Sequence, residues 1–294
     1  MCMTTRPARL SKTIIYAAEV RRDNEDFHVI GYQNKAYTRG PNAMILPLPA
    51  AVALGPANII DTRAFKGILG AYDKAIERHK PQRRSYSADG FYGMRSRSLG
   101  VQVFQSGSYT IALSETPQTM RLALDQVPAD KRPEIPGAFL AGLAQLYKDW
   151  PMAICCFNGN LEEPEPLLWW FKPRFKHALF APAIDAHDGN PPDPNVKVER
   201  DHTLAFGSFR SQRPLDSALV SAIQRVPAEH QWLFVPSVIG RKVDSPTGNG
   251  DFSLPLSAVF DDQVPAYLPS IDITTPPKDL PSRYEHIMAG GALA

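Results

Sequence analysis

Residues 12–32 read KTIIYAAEVRRDNEDFHVIGY, and this stretch decides the fold class. Two apolar runs, Lys12–Val20 and Phe27–Tyr32, flank a charged hexapeptide at residues 21–26. Apolar runs of this length that end at charged or turn-forming residues are typical of strands. The stretch therefore predicts a β-hairpin whose loop is the charged hexapeptide.

Outward from the hairpin, short strand-like runs outnumber helical segments. Further strands or extended segments are predicted at residues 43–48, 101–105, 109–113, 152–157, 167–172, 179–184, 197–209, 231–235 and 252–259. Helices are predicted at residues 63–79, 117–126, 137–148 and 215–226, the first capped by Asp61 or Thr62. Because the strands often come in adjacent pairs, we expect an α+β fold with mixed or mostly antiparallel sheets and about four flanking helices.

The bulk composition indicates an ordinary globular protein. The chain has 294 residues, 44% of them hydrophobic, so one large core needs no disulfide or metal support. We expect a single domain over residues 1–264 and a proline-rich C-terminal segment, 265–294, with a frayed end. A net charge of +2 argues against nucleic acid as the main partner.

The sequence predicts a soluble, cytoplasmic protein without a cofactor. The first ten residues, MCMTTRPARL, lack the apolar region of a signal peptide, and no run approaches the roughly 20 apolar residues of a membrane span. Neither a phosphate-binding GxxxxGK[ST] nor a GxGxxG motif occurs, and no GxSxG motif marks a nucleophilic serine.

The first candidate site is Cys2. If Met1 is removed, Cys2 carries a thiol and a free α-amine, which is the arrangement of N-terminal nucleophile hydrolases. The amine, with a pKa near 8 in its ordinary state, can take the thiol proton. The thiolate would attack an amide carbonyl, with Asn34 or Asn158 supporting the oxyanion. In the other interpretation Cys2 lies in a flexible terminus and has no role.

The other two cysteines predict a different environment. Cys155 and Cys156 are adjacent within the apolar run 152–157, where cysteine behaves as a small buried hydrophobe. Three sparse cysteines do not form a disulfide framework, so we expect free thiols and a reducing compartment.

The second candidate is a polar cluster. Its members are Asp185, His187, Asp188, Asp201 and His202. Histidine and carboxylate together can bind a divalent metal, and alternate residues of an extended chain share a face. However, residues 188–191 also form a strong turn sequence, and no established metal spacing such as HExxH is present. The alternative is therefore a turn beside a hydrogen-bonded histidine.

The third candidate is the basic loop at residues 78–97. Its cations are Arg78, Lys80, Arg83, Arg84, Arg95 and Arg97, interleaved with three aromatic residues. Such a loop can neutralise an anionic partner while its aromatic rings stack on bases. A solvated loop or a partner-docking loop explains the same composition.

The order of several short motifs resembles a known family. The chain opens Met1-Cys2, carries NAMILPLP at 42–49, and later carries LFAP at 179–182, DAHDG at 185–189 and DHTL at 201–204. This order resembles a family of largely uncharacterised bacterial and viral proteins with a Met-Cys start, an AMxLPLP-like strand and a late HDG loop. The resemblance covers residues 1 to about 205 and implies no established activity.

A more distant similarity concerns the early strands. Residues 29–34 are distantly similar to the early strands of choloylglycine-hydrolase-like enzymes, which belong to the N-terminal nucleophile hydrolases. Those enzymes place arginine and aspartate after the glycine, whereas Tyr32, Gln33 and Lys35 stand there in this chain. The substrate-handling residues of that family therefore do not carry over.

Two functional interpretations remain open from the sequence. The favoured one is a non-enzymatic binding or assembly module that contacts a protein partner or associates with itself, because no catalytic set is complete. The alternative is a cysteine N-terminal nucleophile amidohydrolase that acts through Cys2 on a small-molecule amide.

Overall fold

The computed structural model describes residues 3–79, 102–244, 246–268 and 272–274. Its strands are β1 (Met3–Thr4), β2 (Ala8–Arg22), β3 (Glu25–Thr38), β4 (Pro41–Pro47), β5 (Ile59–Ile60), β6 (Gln102–Ser106), β7 (Tyr109–Ser114), β8 (Met152–Asn158), β9 (Leu167–Phe171), β10 (Ala178–Ala181), β11 (Lys197–Val198), β12 (His202–Ser208), β13 (Val238–Val243), β14 (Thr247–Gly248), β15 (Asp251–Pro255) and β16 (Asp272–Thr274). Its α-helices are α1 (Ile68–Arg78), α2 (Met120–Leu124), α3 (Gly137–Leu146), α4 (Ser217–Ile223) and α5 (Leu256–Phe260). The predicted α+β class is confirmed.

The predicted hairpin is present and longer than the sequence indicated. Strands β2 and β3 pair antiparallel from Ala8 opposite Thr38 to Arg22 opposite Glu25. Only residues 23 and 24 of the charged hexapeptide form the turn, and the other four belong to the strands. The two turn residues have positive φ angles of 51° and 62°. Asp and Asn tolerate this left-handed conformation, and its twist matches that of the flanking strands.

The hairpin forms the centre of a six-stranded sheet with the order β13-β12-β2-β3-β9-β5. Strand β12 pairs parallel with β2, from His202 opposite Thr13 to Ser208 opposite Glu19, while the other pairs in this sheet are antiparallel. A five-stranded antiparallel sheet has the order β1-β4-β8-β7-β6. Two smaller sheets, β10-β15-β16 and β11-β14, complete the described part.

Both faces of the six-stranded sheet are covered. Along β2, Ile15 and Ala17 enter a core shared with the five-stranded sheet, whereas Tyr16 and Ala18 enter a second core beneath α1 and α4. Successive residues of a strand point to opposite faces, so a strand between two cores is apolar throughout. The continuous run of β9 divides in the same way, and its predicted burial on both faces is confirmed.

Helix α1 begins later than predicted. Residues 63–65 form a 3-10 turn, and the α-helix starts at Ile68 after Gly67. Thr62, predicted as a cap, instead donates its hydroxyl to the carbonyl of Pro166 at 2.7 Å. Asp61, the other predicted cap, does accept from the Arg63 amide at 3.1 Å, but the prediction of an α-helix from residue 63 is wrong, because only a 3-10 turn follows before Ile68.

The predicted strand at residues 231–235 is also wrong, since a 3-10 helix spans Ala228–Leu233. The Tyr16 hydroxyl replaces a neighbouring strand here. It donates to the carbonyl of Leu233 at 3.2 Å and accepts from the amide of Val235 at 3.1 Å. The apolar side chains are buried as expected, but this segment packs on the face of the sheet beside Tyr16 and does not form a strand of the sheet.

The end of the described chain departs from the predictions in two ways. The predicted strand at residues 252–259 stops at Pro255, where α5 begins, because proline has no amide to continue the ladder. Strand β16 lies within the predicted C-terminal segment and pairs with β15. The domain boundary at residue 264 stays a prediction.

The buried Arg200, two residues before β12, links the start of that strand to the β14–β15 region. Arg200 is 4% exposed. Its guanidinium donates to the carbonyls of Ala183 at 2.5 Å, Gly248 at 3.2 Å and Gly250 at 3.1 Å. A fourth bond goes to the Thr247 hydroxyl at 2.8 Å. Two of these carbonyls, those of Ala183 and Gly250, lie outside the strands.

A buried carboxylate completes the same network. Asp251 is 1% exposed and accepts from the amides of Ala183 at 2.7 Å and Ile184 at 2.9 Å. Its other oxygen accepts from the Tyr147 hydroxyl at 2.6 Å. Burial raises the pKa of Asp251, against the lowering effect of these donors. Arg200 and Asp251 together fix the start of the loop that carries His187.

Candidate functional site

A cleft of about 500 Å³ opens between α1 and α4 on the outer side of the second core. Its floor consists of the buried side chains of Phe65, Ile68 and Val226. Small residues form its walls, namely Ala64, Gly67, Gly70 and Ala71 on one side and Ala218 and Ala222 on the other. Lys74, Arg78 and Arg225 also line it.

The spacing of these residues explains why both helices present the same kind of face. The residues lining the cleft from α1 and its first turn recur at intervals of four, three and four, namely Gly67, Ala71, Lys74 and Arg78. Those from α4 and the residues just after it recur at four and three, namely Ala218, Ala222 and Arg225. Residues three and four apart are neighbours on a helix surface. Each wall therefore carries small side chains near one end and positively charged side chains near the other.

Asp216 fastens the two walls to each other. Its carboxylate caps α4 by accepting from the amides of Ala218 at 2.9 Å and Leu219 at 3.0 Å. It also accepts from the Arg78 guanidinium at 2.6 Å. Burial raises the pKa of Asp216, but the Arg78 and amide donors outweigh it, so the pKa lies below its usual value. The carboxylate is ionised at neutral pH and holds the end of α1 against the start of α4.

The cleft carries an excess of positive charge. Among the described residues that line it, three are Lys or Arg and none is Asp or Glu. Arg225 donates to the carbonyl of Ser221 at 3.0 Å, and Arg78 is paired with Asp216. Lys74 is exposed and has no carboxylate within 4.0 Å in the described part of the chain. An occupant with acidic groups beside an apolar surface would complement this lining.

Two glycines line the cleft, although the packing of the described residues does not require glycine at either position. A Cβ atom added at Gly67 or Gly70 would meet no heavy atom within 4 Å. Glycine inside a helix is less stable than alanine by roughly 0.5–1 kcal/mol. The described part of the chain therefore leaves the space in front of Gly70 unfilled.

The sequence-predicted nucleophile Cys2 lies outside the described residues. The next residue, Met3, is 1% exposed and pairs with Ile45 in the five-stranded sheet. Asn34 is buried in β3 and donates to the Tyr32 hydroxyl at 3.5 Å. Asn158 is exposed at the end of β8, in the other large sheet. The two proposed oxyanion residues thus occupy different sheets, and the role of Cys2 stays a prediction.

Within the predicted polar cluster, Asp185 and His187 lie against each other, whereas Asp188 has a partner outside the cluster. His187 Nε2 lies 2.8 Å from Asp185 Oδ1, but without the alignment of a hydrogen bond. Asp188 accepts from the amide of Asn190 at 3.0 Å and from its side chain at 2.6 Å. The amide hydrogen bond is the main cause that lowers the pKa of Asp188. This is the geometry of a turn.

The remaining two members approach each other, with 3.9 Å between His202 Nδ1 and Asp201 Oδ1, but their other neighbours differ. Asp201 accepts from the backbone amide of Lys12 at 2.6 Å, at a bulge where Lys12 has a φ angle of 54°. His202 is fully buried in β12 opposite Thr13. Across residues 3–79, 102–244 and the other described positions, no three His, Cys, Asp or Glu side chains come together in a metal-binding arrangement.

Of the six cations of the predicted basic loop, one lies within the described residues. Arg78 ends α1 and contributes to the cleft, whereas Lys80, Arg83, Arg84, Arg95 and Arg97 lie outside the described residues. The sequence pointed to this cation for its charge, but it gave no sign of α4 as the opposing wall. That pairing depends on Asp216, which is distant in sequence and was expected only as a helix start.

Cys155 and Cys156 are buried free thiols, as the sequence indicated. Burial raises the pKa of Cys156 to about 12, so its reactive thiolate is scarce at neutral pH. In the Cys2→Ala variant, we expect no reaction with Ellman's reagent in the folded state and two reactive thiols after unfolding in guanidinium. The wild-type protein, measured beside it, isolates Cys2. Rapid reaction of the folded variant would contradict the burial of the pair.

Within the described residues, no helix has both the length and the apolar character that crossing a bilayer requires.

Comparison with known proteins gives a fold-level likeness. No protein-family model and no curated protein matches the chain by sequence. Among solved structures, the chain is similar to baculovirus P35, with a TM-score of 0.45 and 12% identity over 87% of this chain and 91% of that one. A mutated baculovirus P35 after caspase cleavage is similar at a TM-score of 0.44 and 12% identity, over 67% of this chain and 65% of that one.

Proposed function

We propose that this protein is a protein-interaction module whose α1–α4 cleft takes an amphipathic helix of a partner protein. The cleft itself is the observation that carries the proposal. It combines an apolar floor of Phe65, Ile68 and Val226 with small walls and a cationic rim. Helix-in-groove recognition uses apolar side chains at positions i, i+3, i+4 and i+7 that enter such a depression.

The small walls set the shape of the occupant. The distance between packed helices depends on the side chains at the contact. With Gly70 and Ala71 on one wall and Ala222 on the other, a third helix can approach the floor closely. We therefore expect the partner to supply large apolar side chains, since the cleft contributes few of its own.

The rim sets the charge of the occupant. Lys74, Arg78 and Arg225 favour Asp or Glu beside the apolar face of the partner helix. Charge complementarity of this kind mainly raises the association rate, and salt weakens it. Binding should therefore weaken as ionic strength rises, while the apolar contacts persist.

The test is a selection of helical peptides by display on the purified protein. We expect enriched peptides to carry apolar residues at helical spacing with acidic neighbours. They should bind the Gly70→Leu variant at least about tenfold more weakly, because the leucine side chain fills the cleft. Leucine is a good helix former, so the fold of α1 should be kept.

Ser221→Leu is the matched control. Ser221 is exposed on α4 and is not part of the cleft lining, yet the substitution adds the same side chain. Selected peptides should bind this variant as they bind the wild type. Equal binding to Gly70→Leu, or enriched peptides without helical spacing, would contradict the proposal. Concentration-dependent oligomers in light scattering that Gly70→Leu abolishes would identify the occupant as a second copy instead.

The N-terminal nucleophile interpretation has its own test, which does not involve the cleft. Intact-mass measurement shows whether Met1 is removed, and a retained Met1 rules the mechanism out. If it is removed, Cys2→Ala should abolish reaction with amide substrates, while Gly70→Leu should leave that reaction unchanged.

A further inference from the structure

A second depression, which shares no residue with the α1–α4 cleft, lies where three loops of the chain meet beside Asn160 in the loop after β8. It has a volume of about 860 Å³. The link between β1 and β2, the end of β3 with its turn, and the loop after β10 form it. Its lining consists of Arg6, Pro7, Ala8, Arg9, Tyr37, Thr38, Arg39, Asn160 and His187. We call it the arginine groove, after Arg6, Arg9 and Arg39.

A buried asparagine builds one side of the arginine groove. Asn42 is fully buried, and its side-chain oxygen accepts from the Thr5 hydroxyl at 3.1 Å and the Arg6 amide at 3.2 Å. Its side-chain nitrogen donates to the Arg6 carbonyl at 3.0 Å and the Thr38 hydroxyl at 3.1 Å. This one amide joins the backbone of Arg6 to the end of β3, so Arg6 and Arg39 project from a fixed framework.

The loop after β10 closes the other side. The amide of Ala8 donates to the carbonyl of His187 at 2.8 Å. Gly189 has a φ angle of 82°, and a Cβ atom there would come within 2.8 Å of the Thr5 carbonyl. A glycine is therefore needed for this loop to lie against the β1–β2 link. The groove is a consequence of packed backbone rather than of side chains alone.

The three arginines differ from most surface arginines elsewhere in the described part of the chain. In the described part of the chain, at least seven arginines have a carboxylate within 4.0 Å, namely Arg21, Arg22, Arg63, Arg78, Arg132, Arg174 and Arg210. Arg6, Arg9 and Arg39 are exposed, and none of these pairs includes them. No Asp or Glu is among the described residues that line the groove. Carboxylates do flank the groove, since Glu162 accepts from the Tyr37 hydroxyl at 3.0 Å and Asp185 lies 2.8 Å from His187, but no ion pair in the described part of the chain joins them to its arginines. Like charges without a paired carboxylate repel one another, and a bound anion relieves that repulsion.

We propose that the arginine groove binds a small molecule that carries phosphate groups. A phosphate monoester has a charge of about −1.5 to −2 at neutral pH and three strong acceptor oxygens. Three guanidinium groups supply more positive charge and more hydrogen-bond donors than a single carboxylate can pair with. Each guanidinium is a planar group whose N–H donors match the oxygens of a phosphate. The groove volume falls within the range of about 300–1,000 Å³ of small-molecule sites.

The test uses inorganic phosphate and pyrophosphate as probes on the full chain. Isothermal titration calorimetry should show saturable binding, tighter for pyrophosphate, when sodium chloride is used to match ionic strength. The triple variant Arg6→Ala/Arg9→Ala/Arg39→Ala should bind pyrophosphate at least about tenfold more weakly, since it loses several charge-assisted hydrogen bonds.

The control is the triple variant Arg22→Ala/Arg63→Ala/Arg121→Ala, which removes the same charge from exposed positions outside the groove. It should keep the wild-type affinity. Equal loss in both triple variants, or no saturable binding of either probe by the wild type, would overturn the proposal. Binding of a hexaglutamate peptide or of phosphatidic acid vesicles without binding of pyrophosphate would overturn it as well, in favour of a protein or lipid ligand.

Discussion

Replacing Arg200 by alanine is expected to lower the free energy of unfolding by about 3–5 kcal/mol. The guanidinium is 4% exposed and donates to three backbone carbonyls, so its removal leaves buried acceptors without donors. It also lies close enough to Asp185 and Asp251 to interact with their charges. Without it, the buried carboxylate of Asp251 loses its compensating charge.

Urea unfolding followed by circular dichroism measures this change. Arg63→Ala is the control, because Arg63 is exposed and paired with Asp61 at 2.5 Å. An exposed pair of this kind contributes about 0–1 kcal/mol. A similar loss of stability in the two variants would show that burial of Arg200 does not matter.

The Gly240→Ala substitution is expected to destabilise the protein by about 3 kcal/mol, at the upper end of overpacking effects. A Cβ atom at Gly240 would lie 1.9 Å from the carbonyl oxygen of Leu204 and 2.8 Å from a methyl group of Ile76. The Ile76 methyl group ends a flexible side chain, but the backbone carbonyl of Leu204 cannot move easily. The carbonyl belongs to β12, and Gly240 itself is held on its other edge by hydrogen bonds to Ala266 and Leu268.

Gly70→Ala provides a control of opposite sign. The added methyl group meets no atom within 4 Å, and alanine is favoured over glycine in a helix by roughly 0.5–1 kcal/mol. Thermal unfolding should therefore show a lower midpoint for Gly240→Ala and a slightly higher one for Gly70→Ala. Shifts in the same direction would contradict the packing described at Gly240.

The parts of the fold that the sequence predicted are those set by neighbours in the chain. The hairpin of β2 and β3 depends on two apolar runs and the turn between them, all within residues 12–32. The N-cap of α4 at Asp216 is likewise a local signal. For such elements the pattern of side chains contains most of the information.

The parts that could not be predicted depend on distant residues. The buried apolar side chains of residues 231–235 predict a strand, whereas the backbone there is bound by the hydroxyls of Tyr16 and Tyr72, which are distant in sequence. Neither Arg200 nor Asp251 belongs to a sequence motif. Their roles depend on the loop after β10, where both side chains hydrogen-bond to the backbone of Ala183. Periodicity reports burial, but it does not identify the partner.

The candidate sites show the same division. The sequence singled out Arg78 and His187, and each lines one of the two depressions. The features that make those depressions are the small wall of α4 and the buried amide of Asn42. Neither carries an unusual residue or motif, so no local signal could have marked them.

The parallel pairing of β2 with β12 has a consequence for how the protein is made. A ribosome releases the hairpin early, yet its partner strand begins only at residue 202 and the sheet edge at 238. Loop closure over such a separation is slow, and contacts of this range delay folding. The nascent hairpin must therefore wait with one long edge uncovered until most of the polypeptide has left the exit tunnel.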